Sequence, residues 1–229
     1  MWLVAAGAAV VAALLGLRTP VGTLVPPTGE KRSFLHPDAV APGMVLLLGL
    51  VALAGFTSFV PLYVDDIGLD GAGPAFILYA GLILTLRLLG ARIPDRLGAV
   101  PTATAALLAV MAGMAVMGLW ASPAGLYLGT GVFSTGMALL FPAMFSTVMH
   151  AAPEDERSHA VGTFSLFFDL SQGIGAVVLG AVVALTAERG AFLASTVAAA
   201  AGLWVLRRKV EVPPPAETGR GRPTDRLSG

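Results

Sequence analysis

The sequence predicts an all-α fold, a polytopic membrane bundle of seven transmembrane helices. Three observations carry that prediction. Hydrophobic residues make up 56% of the 229-residue chain and charged residues only 12%, with a mean hydropathy of +0.82, a balance typical of membrane proteins rather than of soluble domains this size. The apolar residues gather into seven uninterrupted windows, at 2–17, 43–64, 75–89, 102–120, 124–149, 160–185 and 191–206. None of these windows alternates polar with apolar residues as a barrel strand does. Backbone in lipid must satisfy its own hydrogen bonds, so helices are the remaining solution.

A bilayer core needs roughly 17 to 25 helical residues, so the second, fourth, fifth and sixth windows qualify and the first, third and seventh are marginal. Pro42, Pro74, Pro101 and Pro123 each stand near the start of a window, where a missing amide proton has no intrahelical use. Pro142 lies inside the fifth window and is expected to kink it between 136 and 145.

Basic residues set the expected orientation. Arg18, Lys31 and Arg32 follow the first span, Arg92 and Arg96 the third, Arg157 the fifth, and Arg207, Arg208 and Lys209 the seventh. The alternate loops hold Asp65, Asp66, Asp70 and Glu188, with Arg189 as their only base. The positive-inside tendency therefore predicts a multi-pass protein with its N-terminus outside and its C-terminus cytoplasmic. The first window resembles a signal peptide in length, but Arg18 follows the apolar run instead of preceding it. The expected organisation is a first helix at 1–18, a Pro- and Gly-rich cytoplasmic linker at 19–41, a six-helix bundle at 42–208 and a disordered cytoplasmic tail at 209–229. Arg207, Arg208 and Lys209 read as an anchor at an anionic leaflet, with no lipid-specific role evident from the sequence.

The spans differ in polarity. The fourth offers only Thr102 and Thr104, and the seventh only Ser195 and Thr196, so both are expected to face lipid. The fifth carries Thr130, Ser134, Thr135, Ser146 and Thr147, and the sixth Thr163, Ser165, Asp169, Ser171 and Gln172. Ser165, Asp169 and Gln172 fall on one helical face. A carboxylate near mid-span costs about 2.5–3.5 kcal/mol on insertion scales. Asp169 is thus the leading candidate for binding substrate or a proton, with Gln172 and Ser165 as hydrogen-bonding neighbours; the competing reading is a structural aspartate paired with hydroxyls on an adjacent helix. Ser134, Thr130, Phe56 and Tyr79 are candidate cavity contacts. Gly125 and Gly129 form a G-x-x-x-G pair, and Gly173, Ala176, Gly180 and Ala184 a small-residue stripe, either of which lets helices approach closely.

Other classes are excluded by what is missing. No Walker loop, H-E-x-x-H or G-x-S-x-G occurs, so no enzyme, cofactor or metal site is expected. Cysteine is absent and the formal net charge is zero, which leaves no thiolate chemistry and no case for nucleic-acid binding. The only lysines, Lys31 and Lys209, lie outside the spans, so no intramembrane Schiff base can form. His150 and His159 bracket an acidic loop and read as solvated side chains.

The segment 86–98, LRLLGARIPDRLG, lies between the third and fourth spans. It resembles the second copy of the signature G-x-L-A-D-R-x-G-R-R of the major facilitator superfamily of transporters. Asp95, Arg96 and Gly98 match at the motif spacing, Ala91 replaces the first glycine beside Gly90, and Ala99 and Val100 replace the final basic pair, so the motif's charge relay is incomplete. Arg87, three residues before Gly90, either snorkels to the cytoplasmic interface or serves the cavity, and the resemblance counts it with the signature loop. The turn at 153–157 and the polar, glycine-rich segment 169–175 are similar to those around the family's eleventh helix.

The resemblance implies that spans two to seven are the family's helices seven to twelve, span one its sixth helix and 19–41 its central loop. It implies two inverted three-helix repeats, about 42–120 and 123–208. It also implies half of a plasma-membrane secondary transporter that moves a small organic solute, with efflux or antiport and proton coupling as the favoured modes. Such a half needs the lipid bilayer and either a missing N-terminal six-helix bundle or another copy as partner. A non-transporting scaffold, or a fragment requiring that partner, is the alternative.

Overall fold

The computed structural model describes residues 33–90 and 97–210. The expected first helix at 1–18, most of the linker, Asp95, Arg96 and nearly all of the tail lie outside the described residues. Six helices are found among the described residues: α1 Pro37–Asp66, α2 Gly73–Gly90, α3 Ala99–Leu119, α4 Pro123–Ala151, α5 Arg157–Thr186 and α6 Glu188–Lys209. All except α2 are long and apolar enough to cross a membrane, and no strand occurs among the described residues. The all-α bundle read from composition and window length is the fold observed.

Helix starts and stops follow local chemistry. Helix α1 begins at Pro37, five residues before the boundary expected at 42, so Pro42 and Pro61 lie inside the helix. Proline at the first helical position sacrifices no intrahelical bond, which suits Pro37 to the start. The helix ends in a Schellman motif: Gly68, at φ 73, lets the Leu69 amide donate to the Val64 carbonyl at 3.0 Å and its own amide to Asp65 at 3.2 Å. Gly98, at φ 89, precedes α3; its carbonyl accepts from the Thr102 amide and, at 2.7 Å, from the Thr102 hydroxyl. Ser122 caps α4 by accepting from the Gly125 amide at 3.0 Å. Pro142 lies within α4 without ending it.

The six helices form one compact unit, counted from Leu35 onwards. Most principal pairs join helices that are distant in sequence: α1 packs against α5 and α6, α4 against α3 and α2, α3 against α6, and α1 against α4. This pairing is nearly unchanged when α1–α3 are exchanged with α4–α6. The core lies where α1, α3 and α4 meet, built from Leu46, Leu107, Val110, Met114, Phe133 and Leu140, all at 2% exposure or less.

The spans differ in how much they bury. Helices α3 and α6, expected to face lipid, each bury one face against the bundle, half of the apolar window of α3 and 44% of that of α6, against 17% for the polar α5. Ser195 of α6 is fully buried, its hydroxyl 2.7 Å from where a Cβ on Gly55 would stand. In lipid both faces of a span are greasy, so low polarity does not mark the face that packs. A Cβ on Gly173 or Gly180 of the α5 stripe would meet nothing within 4 Å; Gly175 is the packed glycine, with Ala54 Cβ 3.1 Å from its Cβ position.

Candidate functional site

Helix α5 carries the polar stripe and is held to α1 by a shape match. Gly43 leaves room for the Phe167 ring, Gly175 sits over Val51 and Ala54, and Gly55 receives Leu179. That contact turns residues 163, 164, 171, 175 and 179 inward and so turns the opposite face outward. Ser165 and Asp169 are exposed and Gln172 half-buried. Asp169 borders a shallow, open groove of about 440 Å3 that runs along α5 alone, past Leu166, Leu170, Gly173, Ile174, Val177 and Val178. Among the described residues no hydrogen bond or ion pair engages Asp169. The pairing with hydroxyls of an adjacent helix, which a structural role would need, is not formed.

The remaining sequence candidates lie elsewhere. Thr130 and Ser134 are fully buried; the Ser134 hydroxyl donates to the Thr130 carbonyl at 2.6 Å, and Thr130 reaches Met117 Sδ at 4.0 Å. Thr135 and Thr147 likewise donate to carbonyls four residues back. Their hydroxyls satisfy themselves on their own helix, an outlet open to any Ser or Thr in a span. Phe56 is fully buried in an aromatic cluster with Tyr79 at 5.1 Å, Phe133 at 5.1 Å and Phe76 at 5.4 Å. The structure thus gathers Ser165, Asp169 and Gln172 on one outward face, and separately packs Phe56 against Tyr79 beside the helix that bears Thr130 and Ser134.

Of the signature segment, Arg87 is exposed in the last turn of α2 and Gly90 ends that helix. Asp95 and Arg96 lie outside the described residues. Gly98 occupies a backbone conformation that suits glycine.

Two clusters escaped sequence reasoning. His36 is 2% exposed and joins the start of α1 to the start of α5. Its amide donates to the Thr163 hydroxyl at 2.9 Å, its Nε2–H to the Glu156 carboxylate at 2.9 Å, and its ring meets His159 edge-on at 5.4 Å. At the opposite ends of these helices, Arg189 and Tyr63 cap α3. The Tyr63 hydroxyl donates to the Met117 carbonyl at 3.0 Å, Arg189 Nε to Gly118 at 2.9 Å, and Arg189 Nη2 to Leu119 at 3.2 Å. Three successive carbonyls that the helix cannot pair internally are thereby satisfied. The only sequence signal was that Arg189 is the sole base among acidic loops; partners 54 to 127 residues away leave no local pattern.

The comparisons with known proteins agree with this architecture. The family profile of the Major Facilitator Superfamily matches residues 1–176 and, in an overlapping second match, 75–227. An uncharacterized MFS-type transporter of Pseudomonas aeruginosa is 33% identical over 180 residues, covering 76% of this chain and 44% of the relative. One of Salmonella typhimurium is 29% identical over 167 residues, covering 72% and 42%. The uncharacterized MFS-type transporter YhhS of Escherichia coli (strain K12) is 28% identical over 218 residues, covering 93% and 52%. The chain spans about half the length of the curated relatives it matches. A profile match across nearly every residue, on a bundle of membrane-length helices, settles the assignment: this chain is a membrane protein that belongs to the Major Facilitator Superfamily.

Proposed function

We propose that the chain forms the C-terminal bundle of a secondary transporter that moves a small organic solute by alternating access, with Asp169 binding solute or proton in a proton-coupled efflux cycle. One observation carries this reading. Helix α5 is at once the span with a mid-helix carboxylate and the least buried of the membrane-length helices, and Asp169 stands in an outward groove without a protein partner. A charge that costs this much in a membrane is retained where water or a ligand reaches it. Ser165 and Gln172 add a hydroxyl and an amide on the same face, able to donate to or accept from a polar solute. The wall opposite α5 would come from an N-terminal six-helix bundle, or from another copy, rocking against this one.

The bundle sits in the plasma membrane with the starts of α1 and α5 on the cytoplasmic side. Arg157, Arg207, Arg208 and Lys209 lie at that end, and Asp65, Asp66 and Asp70 at the other. The apolar lining of the groove favours a second reading, in which the face docks a partner and the chain is a scaffold.

Proteoliposomes separate the two. Under an imposed pH gradient, the chain together with its partner bundle should drive solute flux that Asp169→Asn lowers at least about tenfold, a loss of about 1.4 kcal/mol, at unchanged protein level. Flux that survives the substitution removes Asp169 from the mechanism. Absence of flux under every gradient leaves the scaffold.

A further inference from the structure

We infer that the cytoplasmic-side ends of α1, α4 and α6 form a headgroup site for an aminophospholipid, with the lipid ammonium on Asp38 and its phosphate on Lys209. The three ends enclose a cleft of about 330 Å3 walled by Asp38, Pro42, Thr147, Ala151, Lys209 and Val210. Asp38 and Lys209 face the same space, yet they form no ion pair with each other. Asp38 has only His36 Nδ1, at 4.0 Å, and its side chain is 48% exposed. Lys209 is exposed and makes no hydrogen bond or ion pair with a described residue. Two opposite charges that share a cleft without meeting suit a guest that carries both signs.

The depth of the cleft identifies the guest's source. It lies where three spans end, and the last turn of α6 carries an interfacial set: Trp204, 58% exposed, with the Arg208 guanidinium 5.7 Å from its ring centre, followed by Arg207 and Lys209. Tryptophan and snorkelling bases of this kind lie at headgroup level. Hydrogen bonding then selects among headgroups. The Thr147 hydroxyl donates to Ala143 at 3.0 Å, so its lone pairs are left to accept, as are those of the Asp38 carboxylate. A primary ammonium supplies N–H donors to both, whereas a choline headgroup has none. A purely anionic headgroup would set its phosphate against Asp38. The inference concerns the bilayer and is independent of any solute or of the direction of transport.

Native mass spectrometry of the full chain tests it. In detergent, the chain is exchanged with an equimolar mixture of phosphatidylethanolamine, phosphatidylcholine and phosphatidylglycerol of identical acyl chains. Retained phosphatidylethanolamine should exceed either competitor about two- to fivefold, the worth of one or two half-exposed ion pairs. Asp38→Asn should bring it down to the phosphatidylcholine level, Lys209→Gln should lower the retention of both zwitterionic lipids, and Asp155→Asn, outside the cleft, should change nothing. Equal retention of phosphatidylethanolamine and phosphatidylcholine overturns the site, and so does a phosphatidylglycerol preference in the unaltered chain. Displacement by millimolar soluble phosphoethanolamine as complete as by the lipid overturns the lipid assignment. The ranking on the unaltered chain decides the matter even where a variant does not fold.

Discussion

The end of α3 shows how much two side chains accomplish where a helix runs out of partners. Tyr63 and Arg189 arrive from α1 and α6 and take the carbonyls of Met117, Gly118 and Leu119, with the positive charge of Arg189 at the negative end of the helix dipole. Tyr63 is fully buried, so Tyr63→Phe leaves a carbonyl without a donor and should cost about 1–2 kcal/mol. Arg189 is more exposed, and Arg189→Ala should cost about 1 kcal/mol, growing smaller in high salt. Unfolding of the purified chain in mixed micelles measures both; a Tyr63→Phe variant as stable as the parent would show that water replaces the hydroxyl. Asp169 is the opposite case, a charge that the bundle leaves without a described partner.

Among whole helices, glycine placement decides which surfaces meet. Along α3 and α4, a Cβ on Gly113 would lie 2.6 Å from the Gly129 carbonyl oxygen and 2.7 Å from Phe133 Cβ, and one on Gly129 would lie 2.8 Å from the Gly113 carbonyl oxygen. A Cβ on Gly136 would strike the Ala106 carbonyl oxygen. Backbone cannot yield as a flexible side chain does, so Gly113→Ala and Gly136→Ala should each cost about 1–3 kcal/mol. Gly173→Ala and Gly180→Ala meet open space and should leave stability unchanged or raise it by up to about 1 kcal/mol, since alanine favours the helix. Helix unfolding followed by circular dichroism in detergent tests the contrast. Loss of stability at Gly180 would mean that the outward stripe is already packed. The sequence pattern named Gly129 and the Gly173–Gly180 stripe but not Gly113 or Gly136, and had no means of ranking what it named.

The bundle as a whole leaves one polar span uncovered, and the chain itself provides a clean probe of what touches it. Cysteine is absent from the sequence, so a single introduced thiol reports alone. Ser165→Cys, exposed on α5, should react with a membrane-impermeant maleimide in proteoliposomes at least about tenfold faster than Ser134→Cys, which is fully buried; thiolates need water to form. Equal protection of both would put the face of α5 against acyl chains and remove the watery passage on which the proposed function depends.

What was legible in the sequence follows from free energies that act locally. The length and apolarity of the windows located the five long helices, because a backbone in lipid has no other way to pair its polar groups. The signature residues around Gly98 pointed to the superfamily, and the period of a helix put Ser165, Asp169 and Gln172 on one face. Inter-helix partners were not legible. That Ser195 is buried, that Thr130 and Ser134 turn inward, that His36 ties α1 to α5 and that Asp38 shares a cleft with Lys209 were all decided by tertiary structure. In water the hydrophobic effect marks the inward face; in a membrane both faces are apolar, and the choice falls to close steric fit and a few long-range hydrogen bonds.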